Sequence, residues 1–147
     1  KRTFRNGQGA PVAVISMETK MLPTKTGAIP TFEFEVENVG KGTVMAKTAY
    51  ENACSSTGLK PAEVGLIDAS NIYLGFDKLK CTRNQLRVEQ RSEGDEYFDV
   101  EVTTLACEGN EIPYSEEAYL GSITMTLDYG YKDETSTDMF IVKNPAR

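Results

Sequence analysis

The feature that most constrains the fold of this chain is the strict alternation of residues 31–37, Thr-Phe-Glu-Phe-Glu-Val-Glu. Successive side chains of a β-strand point to opposite faces, so the pattern puts Phe32, Phe34 and Val36 on one face and the glutamates on the other. One apolar face and one charged face are typical of a half-buried antiparallel strand. Residues 38–42, Asn-Val-Gly-Lys-Gly, then supply a turn, because Asn and Gly tolerate positive φ.

Other parts of the chain carry similar strand patterns, separated by turn signals at a spacing of about ten residues. In the first of them we expect Val12, Val14 and Ser16 to share one face. The pattern predicts an all-β fold, an antiparallel β-sandwich of immunoglobulin-like or jelly-roll type with about seven to nine strands. The further segments that fit a strand are residues 12–17, 72–76, 85–90, 97–107, 122–131 and 138–143.

Helix is expected in at most one short segment, at residues 60–63, Lys-Pro-Ala-Glu. Pro61 would stand at an early helical position, where its missing N–H costs no hydrogen bond. Residues 43–53 fit either a strand or a short helix.

The length of 147 residues fits a single domain. At this size an ordinary hydrophobic core forms without special staples. Residues 1–10 are polar and contain glycine, so we expect a flexible N-terminal arm there, followed by a single β-sandwich domain at residues 11–147.

The charge balance argues against nucleic acid as a partner. The chain has 22 acidic and 16 basic residues and a net charge of −6, which would repel a phosphate backbone. No apolar run approaches the roughly 18 residues that a membrane span needs, so we expect no direct span in this segment. The nearest approach to a basic cluster falls on alternating strand positions and is interpreted as a solvated face: Lys78, Lys80, Arg83, Arg87 and Arg91.

The three cysteines, Cys54, Cys81 and Cys107, leave two interpretations open. Cys81 and Cys107 each end an apolar strand and are the candidate disulfide, which would be worth roughly 3–4 kcal/mol in the chain-entropy model. The alternative is three buried free thiols, since cysteine is among the most buried residue types. Cys54 is the odd cysteine, either free or paired between subunits. The chain has no His, so a zinc site would have to use thiolates and carboxylates alone, which disfavours zinc.

The sequence gives little support for catalysis, and we expect no enzyme. The absence of His removes the commonest general base and triad member. Glu116, Glu117 and Asp128 could perform acid–base chemistry, although a solvated outer face explains them better. No P-loop, dinucleotide-binding or nucleophile-elbow motif is present.

Ligand binding is the alternative function. Four tyrosines, Tyr114, Tyr119, Tyr129 and Tyr131, could contact a glycan, but their spacing also fits the core or its rim, and the chain lacks Trp. We expect no cofactor; calcium is the ion best suited to the acidic loops, for which solvated turns are the simpler interpretation. The acidic loop residues are Glu93, Asp95, Glu96, Glu108, Glu111, Asp133 and Glu134.

Two groups of residues resemble a known class of domain. Residues 34–40, Phe-Glu-Val-Glu-Asn-Val-Gly, resemble the V-x-N-x-G strand and turn of immunoglobulin-like domains on prokaryotic, notably archaeal, surfaces. Cys81, Cys107 and the Tyr-Gly-Tyr of residues 129–131 are similar to the second half of such domains, where a cysteine pair precedes a terminal strand ending in Tyr-x-Tyr. The resemblance covers residues 31–142, and the third cysteine and residues 43–61 depart from it. It implies a structural or adhesive role, as in surface modules, pilin heads and filament subunits, and transfers no catalytic residue.

We therefore expect an extracellular, cell-surface structural or adhesive module that forms a homo-oligomer or a polymer. A polar arm followed by a β-prone strand is suited to strand addition at the sheet edge of a neighbour. The candidate assembly strand comprises Val12, Val14, Ile15 and Met17. The alternative is that this strand pairs within its own sheet. A β-sandwich module that binds glycan or calcium is the competing hypothesis for function.

Overall fold

The structure of the protein is a computed structural model that describes residues 1–4, 9–89, 102–115 and 121–142. Among these residues the chain forms twelve strands, every pairing of which is antiparallel, and two short 3₁₀ helices, Lys47–Ala49 and Pro61–Glu63. Eight of the strands have three residues or more, in agreement with the predicted all-β class. The strands are β1 (Arg2–Thr3), β2 (Val12–Pro23), β3 (Gly27–Asn38), β4 (Thr43–Met45), β5 (Leu66–Leu74), β6 (Asp77–Lys78), β7 (Lys80–Cys81), β8 (Gln85–Arg87), β9 (Thr103–Glu108), β10 (Ile112–Pro113), β11 (Ile123–Asp128) and β12 (Gly130–Lys132).

The strands form two main sheets and a two-stranded pair. The first sheet has the order β1-β2-β3-β9-β7, with β10 beside the start of β3. In the second sheet β5 is central, with β11 on one side and with β6 and β8 also paired to it. The remaining pair joins β12 to β4. The sheets share one apolar core, which makes the fold sandwich-like; its fully buried members include Phe34, Val36 and Leu105 from the first sheet and Ile67, Ile72 and Leu86 from the second.

The alternation predicted for residues 31–37 is confirmed. Phe32, Phe34 and Val36 are buried in the core, whereas Glu33 is exposed and Glu35 is half-buried. The two Phe rings pack with their centroids 6.2 Å apart. This strand is central in its sheet because β2 and β9 pair with its two edges.

The face predicted for β2 is right at Val12 and Val14 and wrong at Ser16. Val14 pairs with Val36, but Ser16 pairs with Glu35, so Ile15 is an extra residue in a β-bulge. Side chains alternate with a period of two, so the one extra residue reverses which positions of β2 face the core beyond the bulge. Met17 is therefore the next residue to pack against the core.

The N-terminal residues differ from the predicted flexible arm where the structure describes them. Arg2 and Thr3 form β1, which pairs with Met17 and Ser16 of β2. The Phe4 N–H donates to the Ile15 carbonyl at 2.9 Å, so the carbonyl of the bulged residue has a partner. These pairings involve residues distant in sequence, which local composition does not report.

The candidate assembly strand takes the second of its two alternatives. Val12, Val14 and Met17 pair with β3, and Ile15 is the bulged residue between them. The pairing of β2 with β3 runs from Val12 opposite Asn38 to Pro23 opposite Ala28. A hairpin between adjacent segments closes a short loop and so costs little chain entropy, which favours pairing within the subunit.

The 3₁₀ helix Pro61–Glu63 confirms the predicted helical turn. The Lys60 N–H donates to the Glu63 carboxylate at 2.9 Å. The Arg87 guanidinium donates to the carbonyls of Pro61, Ala62 and Val64 at 3.3, 3.0 and 2.7 Å. Arg87, interpreted from the sequence as part of a solvated face, therefore also fastens this loop to β8. Within residues 43–53 the chain forms both β4 and the 3₁₀ helix Lys47–Ala49.

The strand predicted for residues 138–143 is absent over the part that the structure describes. Residues 133–142 lie in no strand, and the side chains of Met139, Phe140, Ile141 and Val142 are 79–93% exposed. This apolar run has no polar face, so a stable strand here would need burial on both sides. No helix in the described part of the chain is long and apolar enough to cross a membrane.

Cys81 of β7 and Cys107 of β9 stand directly opposite each other and form a disulfide bond with a Cα–Cα distance of 4.0 Å. Of the two interpretations left open by the sequence, this is the bridged one. Cys54 is a free, exposed thiol. The bond ties β7 to β9 at the edge of the first sheet, so it fastens the chain where it crosses from the second sheet to the first.

Candidate assembly surface

Two of the four candidate tyrosines have structural partners. The Gly42 N–H donates to the Tyr131 hydroxyl at 2.7 Å, and the Val12 N–H donates to the Tyr129 hydroxyl at 3.4 Å. Both rings are partly buried against the core. The Tyr-Gly-Tyr segment therefore joins the end of the second half of the chain to the beginning of β2 and to the turn after β3.

The same contact explains the glycines of that turn. A Cβ atom on Gly40 would lie 2.5 Å from the Tyr131 hydroxyl oxygen, and one on Gly42 would lie 2.3 Å from the Lys132 carbonyl oxygen. Neither glycine has positive φ, because the glycines that do are Gly9, Gly58, Gly65 and Gly75. The turn itself is confirmed, but its glycines are required by the close approach of Tyr131 and Lys132 and not by backbone conformation.

The remaining tyrosines do not extend this group. The Tyr114 hydroxyl donates to the Thr24 carbonyl at 2.8 Å, at the hairpin between β2 and β3, and the side chain is 60% exposed. Tyr119 lies outside the described residues. A glycan platform built from these tyrosines stays a prediction.

Three of the acidic candidates that the structure describes, Glu111, Glu134 and Asp128, have local partners. Glu111 accepts hydrogen bonds from the hydroxyls of Thr24 and Thr26, which lower the pKa of its carboxyl. Lys132 lies 2.6 Å from Glu134 and lowers the pKa of that carboxyl. The Asp128 carboxylate lies 3.8 Å from the Lys47 ammonium. These contacts are typical of surface carboxylates that stabilise the local structure.

Calcium stays a prediction as well. Within the described ranges, no group of three or more acidic or cysteine side chains is close enough to hold a metal ion. This finding covers Glu108 and Asp133, as well as Glu111, Glu134 and Asp128. The other acidic candidates, and two of the three carboxylates considered for acid–base chemistry, lie outside the described residues: Glu93, Asp95, Glu96, Glu116 and Glu117.

A short polar network fixes the N-terminus to the first sheet. The Glu35 carboxylate accepts hydrogen bonds from the Lys1 ammonium at 2.6 Å and from the Ser16 hydroxyl. The hydrogen bond from Lys1, followed by that from Ser16, holds the pKa of Glu35 below its ordinary value. Ser16 can reach Glu35 only because the bulge at Ile15 turns it away from the core.

The longest run of exposed large apolar side chains among the described residues is Met139-Phe140-Ile141-Val142, called here the apolar segment. Its members are exposed by 79, 93, 88 and 83%, respectively. Contiguous apolar surface of this kind, unlike a single exposed side chain, marks sites of association. Aromatic and β-branched residues also favour strand conformation.

A groove opens at one side of the sandwich, between β1–β2 of the first sheet and β11 of the second. Its volume is about 460 Å³. Val14, Met17, Ile123 and Met125 line it and are only partly buried, although they pack against the core. Its other lining residues are Arg2, Phe4, Phe34, Gly121 and Ser122. We refer to this feature as the β11 groove.

The strand-forming segments of this surface were predictable from the sequence, but their arrangement in space was not. The strand predicted for residues 122–131 corresponds to β11 and β12, and Ile123, Met125 and Leu127 pack against the core. That β11 stands at the edge of its sheet had no sequence signal, because it depends on which strand pairs with β5. The uninterrupted apolar run of residues 139–142 was a usable signal, since a strand with one solvated face would alternate.

Comparison with protein-family models, with curated proteins and with solved structures finds no match to this chain. The fold and the disulfide define a disulfide-bonded antiparallel β-sandwich.

Proposed function

We propose that the protein is an extracytoplasmic structural or adhesive module that associates with copies of itself by strand addition. The observation that carries the proposal is the exposure of the apolar segment, a β-prone run that lies in no strand of the described chain. Strand addition satisfies the main chain of such a segment and buries its side chains at the same time.

The disulfide supports an extracytoplasmic location. Structural disulfides persist in oxidising compartments and are rare where thiols are kept reduced. The bond between Cys81 and Cys107 joins neighbouring strands that pair within the first sheet, so it belongs to the folded structure. The cell surface is the compartment that fits both this bond and an assembling module.

The donated strand in this proposal differs from the one expected from the sequence. The strand that contains Val12 and Met17 is already paired with β3 within the subunit. The apolar segment is free of that competition, because donating it breaks no pairing seen among the described residues. The mode of assembly is retained, and its location moves to residues 139–142.

The energetics allow reversible association. Complete burial of four such side chains would contribute about 6–12 kcal/mol, at about 1.5–3 kcal/mol each. Loss of translational and rotational freedom opposes this with about 4–15 kcal/mol. Because the two terms are similar in size, main-chain hydrogen bonds of the added strand decide the affinity.

Light scattering behind size exclusion tests the proposal on the full chain and on two matched variants. Phe140 is 93% exposed in the apolar segment, and Phe76 is 103% exposed in the turn between β5 and β6. We expect oligomers or polymers for the wild type and for Phe76→Asp, and monomers for Phe140→Asp. Both substitutions remove the same exposed ring, so circular dichroism should show the same fold for both.

Two outcomes would refute the proposal. One is a wild-type protein that stays monomeric over a concentration series that extends to millimolar. The other is an equal loss of assembly in Phe140→Asp and Phe76→Asp, which would show a general effect of charge on association.

A further inference from the structure

The structure points to the acceptor for this strand: we infer that the β11 groove of one copy receives residues 139–142 of a second copy, paired with the outer edge of β11. The inference rests on the proposed function and names the partner surface for it. Three observations carry it: the lining of the groove, the outer edge of β11, with which no described strand pairs, and the position of the apolar segment outside its own groove.

The lining of the groove is a continuation of the core. Phe34 is 2% exposed and belongs to the central strand of the first sheet, yet it contributes to the groove wall. Met17 stands beside it on β2, and Ile123 and Met125 face it from β11. An occupant here would therefore contact core side chains from both sheets, and apolar side chains are the chemistry that fits.

The backbone of β11 offers a matching edge. β11 pairs with β5 on one side, with Ile123 opposite Leu74 and Met125 opposite Ile72. The Gly75 N–H donates to the Ser122 carbonyl at 2.8 Å, so the main-chain groups of Ser122 point toward β5. Because these groups alternate along an antiparallel ladder, those of Ile123 and Met125 point away from β5. Within the described ranges no strand pairs with that outer edge.

The apolar segment has a length and an amino-acid composition that suit a strand added to the outer edge of β11. In an extended conformation Met139 and Ile141 face one way and Phe140 and Val142 the other, so two apolar side chains can enter the groove while their neighbours cover its rim. Asp138 precedes the segment, and Arg2 lines the groove, so their opposite charges fit the same placement.

The occupant is a second copy, because the segment does not fill the groove of its own molecule. Its four side chains remain at least 79% exposed in the structure of a single chain. Each copy then presents one donor and one acceptor at different places. Such a heterologous contact propagates from copy to copy and gives an open chain unless the rotation closes a ring.

Cysteine cross-linking between two differently substituted full-length proteins tests this placement. All variants carry Cys54→Ser, which removes the free thiol and leaves the disulfide intact. Thr124, exposed on β11, is replaced by Cys in one protein; Phe140 or Ile141 is replaced by Cys in the other. Because side chains alternate, one of these two consecutive positions must face the same side as Thr124. The matched control for the acceptor is Thr104→Cys, an exposed threonine on β9.

We expect equimolar mixtures with Thr124→Cys to give at least about tenfold more mixed disulfide dimer than mixtures with Thr104→Cys, since groups held together in a complex meet at effective concentrations near the millimolar range. The product is measured on non-reducing gels and by mass spectrometry of the linked peptides. Equal yields for Thr124→Cys and Thr104→Cys would overturn the inference.

A pair of double variants distinguishes strand addition between copies from strand addition within one chain, and tests the β11 groove separately from the proposed function. The double variant Thr124→Cys/Ile141→Cys, with its partner Thr124→Cys/Phe140→Cys, should form intermolecular ladders that disappear on dilution. Cross-links that form only within one chain at every dilution would overturn the inference. If the wild type assembles through Phe140 but no mixture cross-links at Thr124, the proposed function stands and the β11 groove is not the acceptor.

Discussion

Replacing Asn38 by Ala removes two hydrogen bonds that hold the turn after β3. The side chain of Asn38 is fully buried; its Nδ2 donates to the Gly42 carbonyl at 3.3 Å, and its Oδ1 accepts from the Gly40 N–H at 3.0 Å. The Gly40 N–H keeps a second acceptor, the Pro11 carbonyl at 3.1 Å, whereas the Gly42 carbonyl loses this donor. One bond with its partner retained is worth about 1 kcal/mol. Leaving a buried group without its donor costs about 1–3 kcal/mol, and the lower part of that range applies to Gly42 because it is only partly buried, so we expect a total loss of about 2–3 kcal/mol.

The variant Asn38→Asp keeps the shape of the side chain and tests the hydrogen-bond donor separately. Burial disfavours the charged carboxylate, and only the protonated form can donate to the Gly42 carbonyl, so the pKa of this Asp in the folded protein should lie above its unfolded value of about 3.9. The folded state then binds more protons than the unfolded state. Relative to wild type, stability should therefore be highest below about pH 4 and fall as the pH rises through the folded pKa.

Urea unfolding followed by far-UV circular dichroism measures both effects, because the chain lacks Trp as a fluorescent reporter. The disulfide stays oxidised throughout. The control is Asn84→Asp, at an exposed position, which should show neither the loss nor the pH trend. The reasoning is refuted if Asn38→Ala unfolds within about 0.5 kcal/mol of wild type, the usual range for surface substitutions, or if Asn38→Asp has the pH dependence of the control.

Two further predictions concern other hydrogen bonds. Tyr131→Phe should lower the free energy of unfolding by about 1 kcal/mol, and Tyr129→Phe by less, because the bond from Gly42 to Tyr131 is 2.7 Å and the bond to Tyr129 is 3.4 Å; equal losses in urea unfolding would contradict this. The pKa of Glu35 is lowered from 4.5 by its hydrogen bonds, first that from Lys1, so its contribution to stability is present above that pH and is lost as the pH falls through the lowered value. Glu35→Gln should therefore flatten the acid limb of the stability curve, and an unchanged limb would count against the network.

The parts of the fold that could be predicted depend on residues close together in sequence. The alternation at Phe32, Phe34 and Val36 predicted a strand with a defined buried face, because every residue in that segment supports the same assignment of faces. The turn at Pro61 was predictable for the same reason, since a fixed φ and a nearby carboxylate act within four residues. The pairing of Cys81 with Cys107 was one of two open alternatives, because spacing does not determine which strand ends meet.

The parts that could not be predicted depend on partners remote in sequence. No residue near Ile15 predicts a bulge. That Ser16 faces away from the core follows only from its pairing with Glu35. Gly42 is small because of Tyr131, which lies 89 positions away. The strand expected at residues 138–143 shows the converse error: an apolar run reports strand propensity, but a strand also needs a neighbour with which to pair.

The connection from β8 of the second sheet to β9 of the first has a consequence for proteolytic cleavage. The chain leaves β8 at Arg87 and enters β9 at Thr103, where the Thr103 hydroxyl donates to the Arg87 carbonyl at 2.5 Å. A protease cut between these residues would leave two fragments joined through Cys81 and Cys107, so a non-reducing gel would show an intact band and only a reducing gel would reveal the nick.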